Sequence, residues 1–116
     1  MYGYTHLDPK NCEFIPVGSV DDLPNGERLF IEIDGQPIVI FNIAGAYYAI
    51  ADVCSHDDGP LGEGRLEGFE IVCPRHGARF DVRSGEVLAL PAVIDIPAYP
   101  LRIQDGQIEI GLPRLD

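Results

Sequence analysis

Turn signals punctuate this chain about every ten residues, and β-branched, alternating runs lie between them. "RLFIEIDGQPIVIF" sets Asp34-Gly35 between two apolar runs. "IVIFNIAGAYYAIAD" does the same around Ala44-Gly45, "ARFDVRSGEVLAL" around Ser84-Gly85 and "YPLRIQDGQIEIGL" around Asp105-Gly106. A residue pair ending in glycine between two such runs signals a tight hairpin, because a type I′ turn needs φ > 0 at both central residues. Alternation is cleanest at Leu101 and Ile103 against Arg102 and Gln104, and at Ile108 and Ile110 against Gln107 and Glu109. Period two sends alternate residues to opposite faces of a strand. No window carries a helical period. The one helical signal is short: Ser19 stands where it can cap a single turn ahead of Pro24. Ten prolines and thirteen glycines fit many short strands and tight loops. The prediction is an all-β chain, a small antiparallel sandwich or barrel.

A chain of 116 residues suits one domain, read as residues 1–116, with a single hydrophobic core. Its net charge of −11 argues against nucleic acid or an anionic membrane as partner. The most apolar stretch, "IVIFNIAGAYYAIADV", contains Asn42 and Gly45 and is shorter than the ~20 residues a spanning helix needs. Three cysteines are an odd number and do not make the even framework of a disulfide-rich secreted protein. The start, "MYGYTHLDPKNCEF", has neither a basic n-region nor an apolar h-region. A soluble, cytoplasmic protein is expected.

One stretch interrupts the strand pattern. "CSHDDGPLGEGRLEGFEIVCPRHG" holds two of the three cysteines and two of the three histidines, as Cys54-x-His56 and Cys73-x-x-His76. Its glycines and prolines make it a loop-rich insert on a β base. Thiolate and imidazole are ligands for zinc or iron. A single zinc with two cysteines and two histidines would use the same four residues. Zinc ribbons, however, draw cysteine pairs from one knuckle, and zinc fingers place both histidines on a helix. In a [2Fe-2S] cluster, Cys54 and Cys73 would hold one iron, and His56 and His76 the other. From the residues alone both metals remain open.

The two pairs, with sixteen residues between them, resemble the cluster motif of Rieske [2Fe-2S] proteins. "GQPIVIFNIAGAYYAIADVCSH" is similar to the strands that lead into the first loop of that family. "GARFDVRSGEVLALPA" is similar to the strand, turn and proline-bearing loop after the second. The resemblance spans residues 12 to 112 and places the cluster loops within about residues 52–83 of the domain. It implies one Rieske-type cluster held by Cys54, His56, Cys73 and His76, with the cysteines inside and the histidines near the tip.

Three departures narrow the resemblance. Respiratory-type members carry an extra cysteine in each loop, joined as a disulfide; here Asp58 and Gly59 fall at the first place and Arg75 at the second. A serine and a tyrosine that donate hydrogen bonds to cluster sulfurs in those members are replaced by Ala78 and Phe80, which cannot donate. No membrane anchor is expected. What remains is similar to the ferredoxins of bacterial aromatic-ring dioxygenases: electron carriers without a turnover site of their own. They take one electron at a time from a flavin-dependent reductase and pass it to a terminal oxygenase. The resemblance also admits a second function, the small subunit of a nitrite-reductase-type oxidoreductase. A monomer is expected.

Charge adds an expectation about docking. Residues 54–85 carry six acids against four arginines, a net of −2, and the other 84 residues carry −9. Arg75 and Arg79 near the tip read either as partner contacts or, equally, as solvated loop charges. Other residues carry less. Cys12 reads as a strand residue, buried or half-buried. His6 reads as part of a tail. Asp57-Asp58 reads as a turn rather than as a carboxylate near the cluster. Pro91 reads either as a shield for the cluster or as a strand terminator. Of Tyr47 and Tyr48, on opposite faces of one strand, at most one is expected to pack inward in a one-sided sheet.

Overall fold

In a computed structural model of the chain, residues 8–113 are described; His6 lies outside them. The described residues form eleven strands and two short 3-10 turns. The strands are β1 (Cys12–Ser19), β2 (Arg28–Ile33), β3 (Gln36–Ile43), β4 (Ala46–Ala51), β5 (Leu66–Glu67) and β6 (Glu70–Val72). After these come β7 (Arg79–Asp81), β8 (Val87–Ala89), β9 (Ala98–Tyr99), β10 (Leu101–Gln104) and β11 (Gln107–Pro113). They make three antiparallel sheets, ordered β2-β3-β4-β9, β1-β11-β10 and β5-β6-β7-β8. The all-β class is as expected, with the loop-rich insert supplying β5 and β6 of a small separate sheet that β7 and β8 complete.

The hairpins follow the turn chemistry. Asp34-Gly35 (φ 52° and 81°), Ala44-Gly45 (55° and 89°) and Asp105-Gly106 (53° and 76°) all have positive φ at both residues. They join β2 to β3, β3 to β4 and β10 to β11. Ala44 has no side-chain group to favour this conformation. Two asparagines hold its turn: Ala44 N–H donates to Asn25 Oδ1 and Gly45 N–H donates to Asn42 Oδ1. Asn42 is buried and its Nδ2 donates to the Leu23 carbonyl. Ala44→Gly is therefore expected to stabilise the protein by about 1 kcal/mol. Thermal denaturation should show a rise of roughly 4 °C. The short turn also forms as read: Ser19 caps Val20–Asp22 in a capping box with Asp22.

Two features differ from the sequence reading. The expected single core is two clusters, one on each face of the β2-β3-β4-β9 sheet. Val39, Phe41 and Ile50 face the small sheet and the metal-ligand candidates. Ile38, Ile40, Ala49 and Ala51 face β1 and β11, packing on Ile108 and Ile110. A sheet covered on both sides needs continuous apolar strands rather than alternating ones, and Ile38-Val39-Ile40-Phe41 supplies that run. Tyr47 and Tyr48 accordingly both pack, one on each cluster. Tyr48 also meets the Phe69 ring edge-on, with centroids 5.8 Å apart. The second difference is Ile103, which alternates correctly but is 45% exposed. It sits on β10, an edge strand.

Candidate metal centre

The two loops that carry the candidate ligands repeat one backbone design. In the loop between β4 and β5, Cys54 N–H donates to the Gly59 carbonyl, and Asp58 N–H donates back to the Cys54 carbonyl. In the loop between β6 and β7, Cys73 N–H donates to Ala78 and Gly77 N–H donates to Cys73. The closing residue has positive φ in both, 60° at Asp58 and 78° at Gly77. Each cysteine thus opens a closed turn, and each turn carries its histidine outward, two residues on in the first loop and three in the second.

The four predicted ligands come together in two layers. Cys54 and Cys73 are buried, in one cluster with Ala78, Phe80 and Ala92. His56 and His76 are exposed, and their ring centroids lie 4.9 Å apart. Burial pushes the Cys54 thiol pKa up; the His56 N–H pulls it down, and the neighbouring Cys73 pushes it up again. Thiolates there need a cation to compensate them. Two buried sulfurs and two surface imidazoles, each pair split between loops of like geometry, fit a mixed cysteine–histidine metal centre.

Other residues fix the loops, and the sequence reading did not single them out for it. Asp52 Oδ1 accepts from the N–H groups of Leu61 and Gly62. The Arg28 guanidinium donates to the carbonyls of Gly62 and Gly64. Ser55 Oγ donates to the carbonyl of Ile94, tying the first loop to the segment after Pro91. That segment follows the end of β8 and buries Ala92 beside the cysteines, so Pro91 stands where a strand terminator is expected. Cys12 is buried, as expected.

The charged residues depart from expectation. Asp57 is more than a turn residue: its carboxylate accepts two hydrogen bonds from Arg75, at 2.7 and 2.9 Å, and one from Gly59 N–H. It also lies 3.8 Å from Nε2 of His76. The Arg75 guanidinium, and then the Gly59 N–H, hold the Asp57 carboxyl far below the usual carboxylate range. Arg79 pairs with Glu67 and Glu70, Arg65 with Glu67, and Arg83 with Asp81. Arg79 and then Arg65 lower the Glu67 pKa, and Arg83 lowers that of Asp81. All four arginines of this region are engaged with acids of their own chain, which leaves less charge for a partner than expected. What the segment beside the first loop does expose is apolar: Leu90 at 74%, Val93 at 71%, and part of Leu88 and Ile94.

Comparison with known proteins decides between the metals left open by the residues. Residues 13–100 match the Rieske [2Fe-2S] domain family. The ferredoxin component of the naphthalene 1,2-dioxygenase/salicylate 5-hydroxylase systems of Ralstonia sp is 35% identical, over 85% of this chain and 95% of its own length. The solved ferredoxin of carbazole 1,9a-dioxygenase from Nocardioides aromaticivorans superposes with a TM-score of 0.78 at 32% identity, covering 87% of this chain and 98% of that one. A solved complex of reduced oxygenase and oxidised ferredoxin in carbazole 1,9a-dioxygenase contains a chain with a TM-score of 0.79 at 25% identity, covering 89% and 97%. The structural-zinc alternative falls with these matches. The chain belongs to the Rieske [2Fe-2S] domain family, alongside the ferredoxin components of aromatic-ring dioxygenase systems.

Proposed function

We propose that Cys54, His56, Cys73 and His76 hold the [2Fe-2S] cluster, and that the chain carries single electrons from a flavin-dependent reductase to a terminal oxygenase. The observation that carries this reading is the layering of the four side chains: thiols in the core, imidazole rings side by side at the surface. When bound, the cluster supplies a one-electron redox centre. The chain does the rest. The core around Cys54 and Cys73 excludes water from the sulfurs, and the two outward loops bring His56 and His76 to where a partner can touch them. Leu90 and Val93 offer an apolar contact beside the first loop. The solved complex of a related ferredoxin with its oxygenase supports a partner of that kind here. The ferredoxin relatives favour a carrier over the small subunit of a nitrite-reductase-type enzyme. Cys54 and Cys73, both left as thiols, support a reducing compartment, the cytoplasm, and a monomer is the simplest carrier.

EPR before and after dithionite reduction tests the reading. An oxidised sample that is silent and gains a rhombic signal of low average g is expected. A colourless zinc protein, silent in both states, would overturn it. The apolar contact is tested separately. Leu90→Asp is expected to slow electron delivery to the oxygenase about tenfold, the loss typical of an exposed anchor residue, with the midpoint potential unchanged.

A further inference from the structure

We propose that the Asp57–Arg75 ion pair is a latch that joins the two ligand-bearing loops and sets how long the cluster stays in the protein. This rests on the cluster reading above. The two loops come from different parts of the chain, and no disulfide joins them. Each is closed on itself by its own backbone hydrogen bonds, so those bonds do nothing to keep one loop beside the other.

Arg75 supplies that connection. Its Nε and Nη2 donate to the two carboxylate oxygens of Asp57, and its Nη1 donates to the carbonyl of Pro60. Three donors of one side chain in the second loop are therefore spent on the first. A bidentate guanidinium–carboxylate pair fixes orientation as well as distance. The first loop is shaped to receive it. A Cβ on Gly59 would lie 2.7 Å from Arg75 Cζ, so the guanidinium lies directly against the Gly59 backbone. Asp57 is itself held in place by the N–H of Gly59. The pair is only partly exposed, 31% for Arg75 and 26% for Asp57, and it sits between the turns that carry His56 and His76. Arg65, Arg79 and Arg83 make their side-chain ion pairs within the small-sheet region, and none of these pairs links the two ligand loops.

The latch acts as a pair, and a double-mutant cycle reads pairs. The parent protein, Arg75→Met, Asp57→Asn and the double variant are loaded with cluster. Loss of visible absorbance is then followed in excess chelator, with midpoint potentials measured alongside. Each single variant is expected to lose its cluster about tenfold faster than the parent, and the double variant no faster than the quicker single. Parent-like retention in both singles, or a double-variant rate equal to the product of the two single effects, would overturn the proposal. The potential separates a latch from general damage to the tip. Removing the cation should lower it, removing the anion should raise it, and removing both should return it close to the parent value. A shift of one sign in all three variants overturns the proposal. Gly59→Ala keeps both charges and presses only on the end of a flexible side chain, so it folds even where a charge variant does not. It is expected to lose cluster faster than the parent, and parent-like retention there counts against the latch. Iron and acid-labile sulfide in the parent protein decide the cluster reading independently.

Discussion

Gly64→Ala is expected to destabilise the protein by about 3 kcal/mol, toward the upper end for inserting a methyl group into a packed site. A Cβ at Gly64 would lie 1.8 Å from the Val72 carbonyl oxygen. Neither side can yield easily. Gly64 N–H donates to Leu61 and its carbonyl accepts from Arg28, while Val72 N–H donates to Arg65 at the strand that leads into Cys73. The contact thus presses the first ligand loop against the strand before the second, and cluster loading should fall with stability. The φ at Gly64 is not positive, so the variant reads steric contact alone. Gly106→Ala is the counterpart: φ is 76° and nothing lies within 4 Å of its Cβ position, so only backbone strain is felt, about 1 kcal/mol. Chemical denaturation of the two variants, with unchanged m-values, checks the ranking. Equal losses would remove the steric account.

Ala78→Ser combined with Phe80→Tyr is expected to raise the midpoint potential by on the order of 200 mV, taking hydrogen bonds to a charged acceptor at about 1.5–3 kcal/mol each for a one-electron couple. Both positions are fully buried in the cluster that contains Cys54 and Cys73. Their burial keeps bulk water from supplying the donors their side chains lack, and little hydrogen-bond help for an extra electron is expected from that side. The potential of the wild-type protein is accordingly expected near the low end of the Rieske range, about −150 mV. The same double variant carries an internal control. In the cluster-free protein the bridging sulfides are gone and the cysteine sulfurs are thiols, weak acceptors only, and a poorly satisfied buried hydroxyl costs about 1–3 kcal/mol. The cluster-free form should therefore melt earlier than its parent, while the loaded form loses less. Protein-film voltammetry and paired melting curves measure both. A potential that stays or falls would sink the account.

Some of this was legible in the sequence because local chemistry dictated it. Asp34-Gly35 and Asp105-Gly106 carry their φ > 0 requirement in their residue types. Ala44 does not, but Gly45 after it and the alternation on both sides were enough. The four ligand candidates were legible from residue type and spacing alone. What was not legible depends on partners distant in sequence. Asp57 and Arg75 stand eighteen residues apart, on loops whose approach is set by the sheet beneath them. Nothing local marks Asp57 as a carboxylate that reaches the other loop. Asp52 and Arg28 likewise look like solvated charges until Leu61, Gly62 and Gly64 are placed against them. The run Ile38–Phe41 was readable as a strand. That both its faces are covered depends on β1 and β11 closing the far side, and those strands come from opposite ends of the described chain. Ile103 shows the converse: its pattern promises burial, but its edge strand has a neighbour on one side only.

The pairing of β1 with β11 sets Cys12 opposite Pro113. The first and last strands of the described residues therefore lie side by side, on the face of the central sheet opposite the ligand loops. Such a unit has a handle at one pole and the two imidazole rings at the other. A surface tether or a neighbouring module joined at either strand would leave the histidine pole unobstructed. For attachment to an electrode, both ends of the described chain offer equivalent anchoring points, and either would present the same face to the solution.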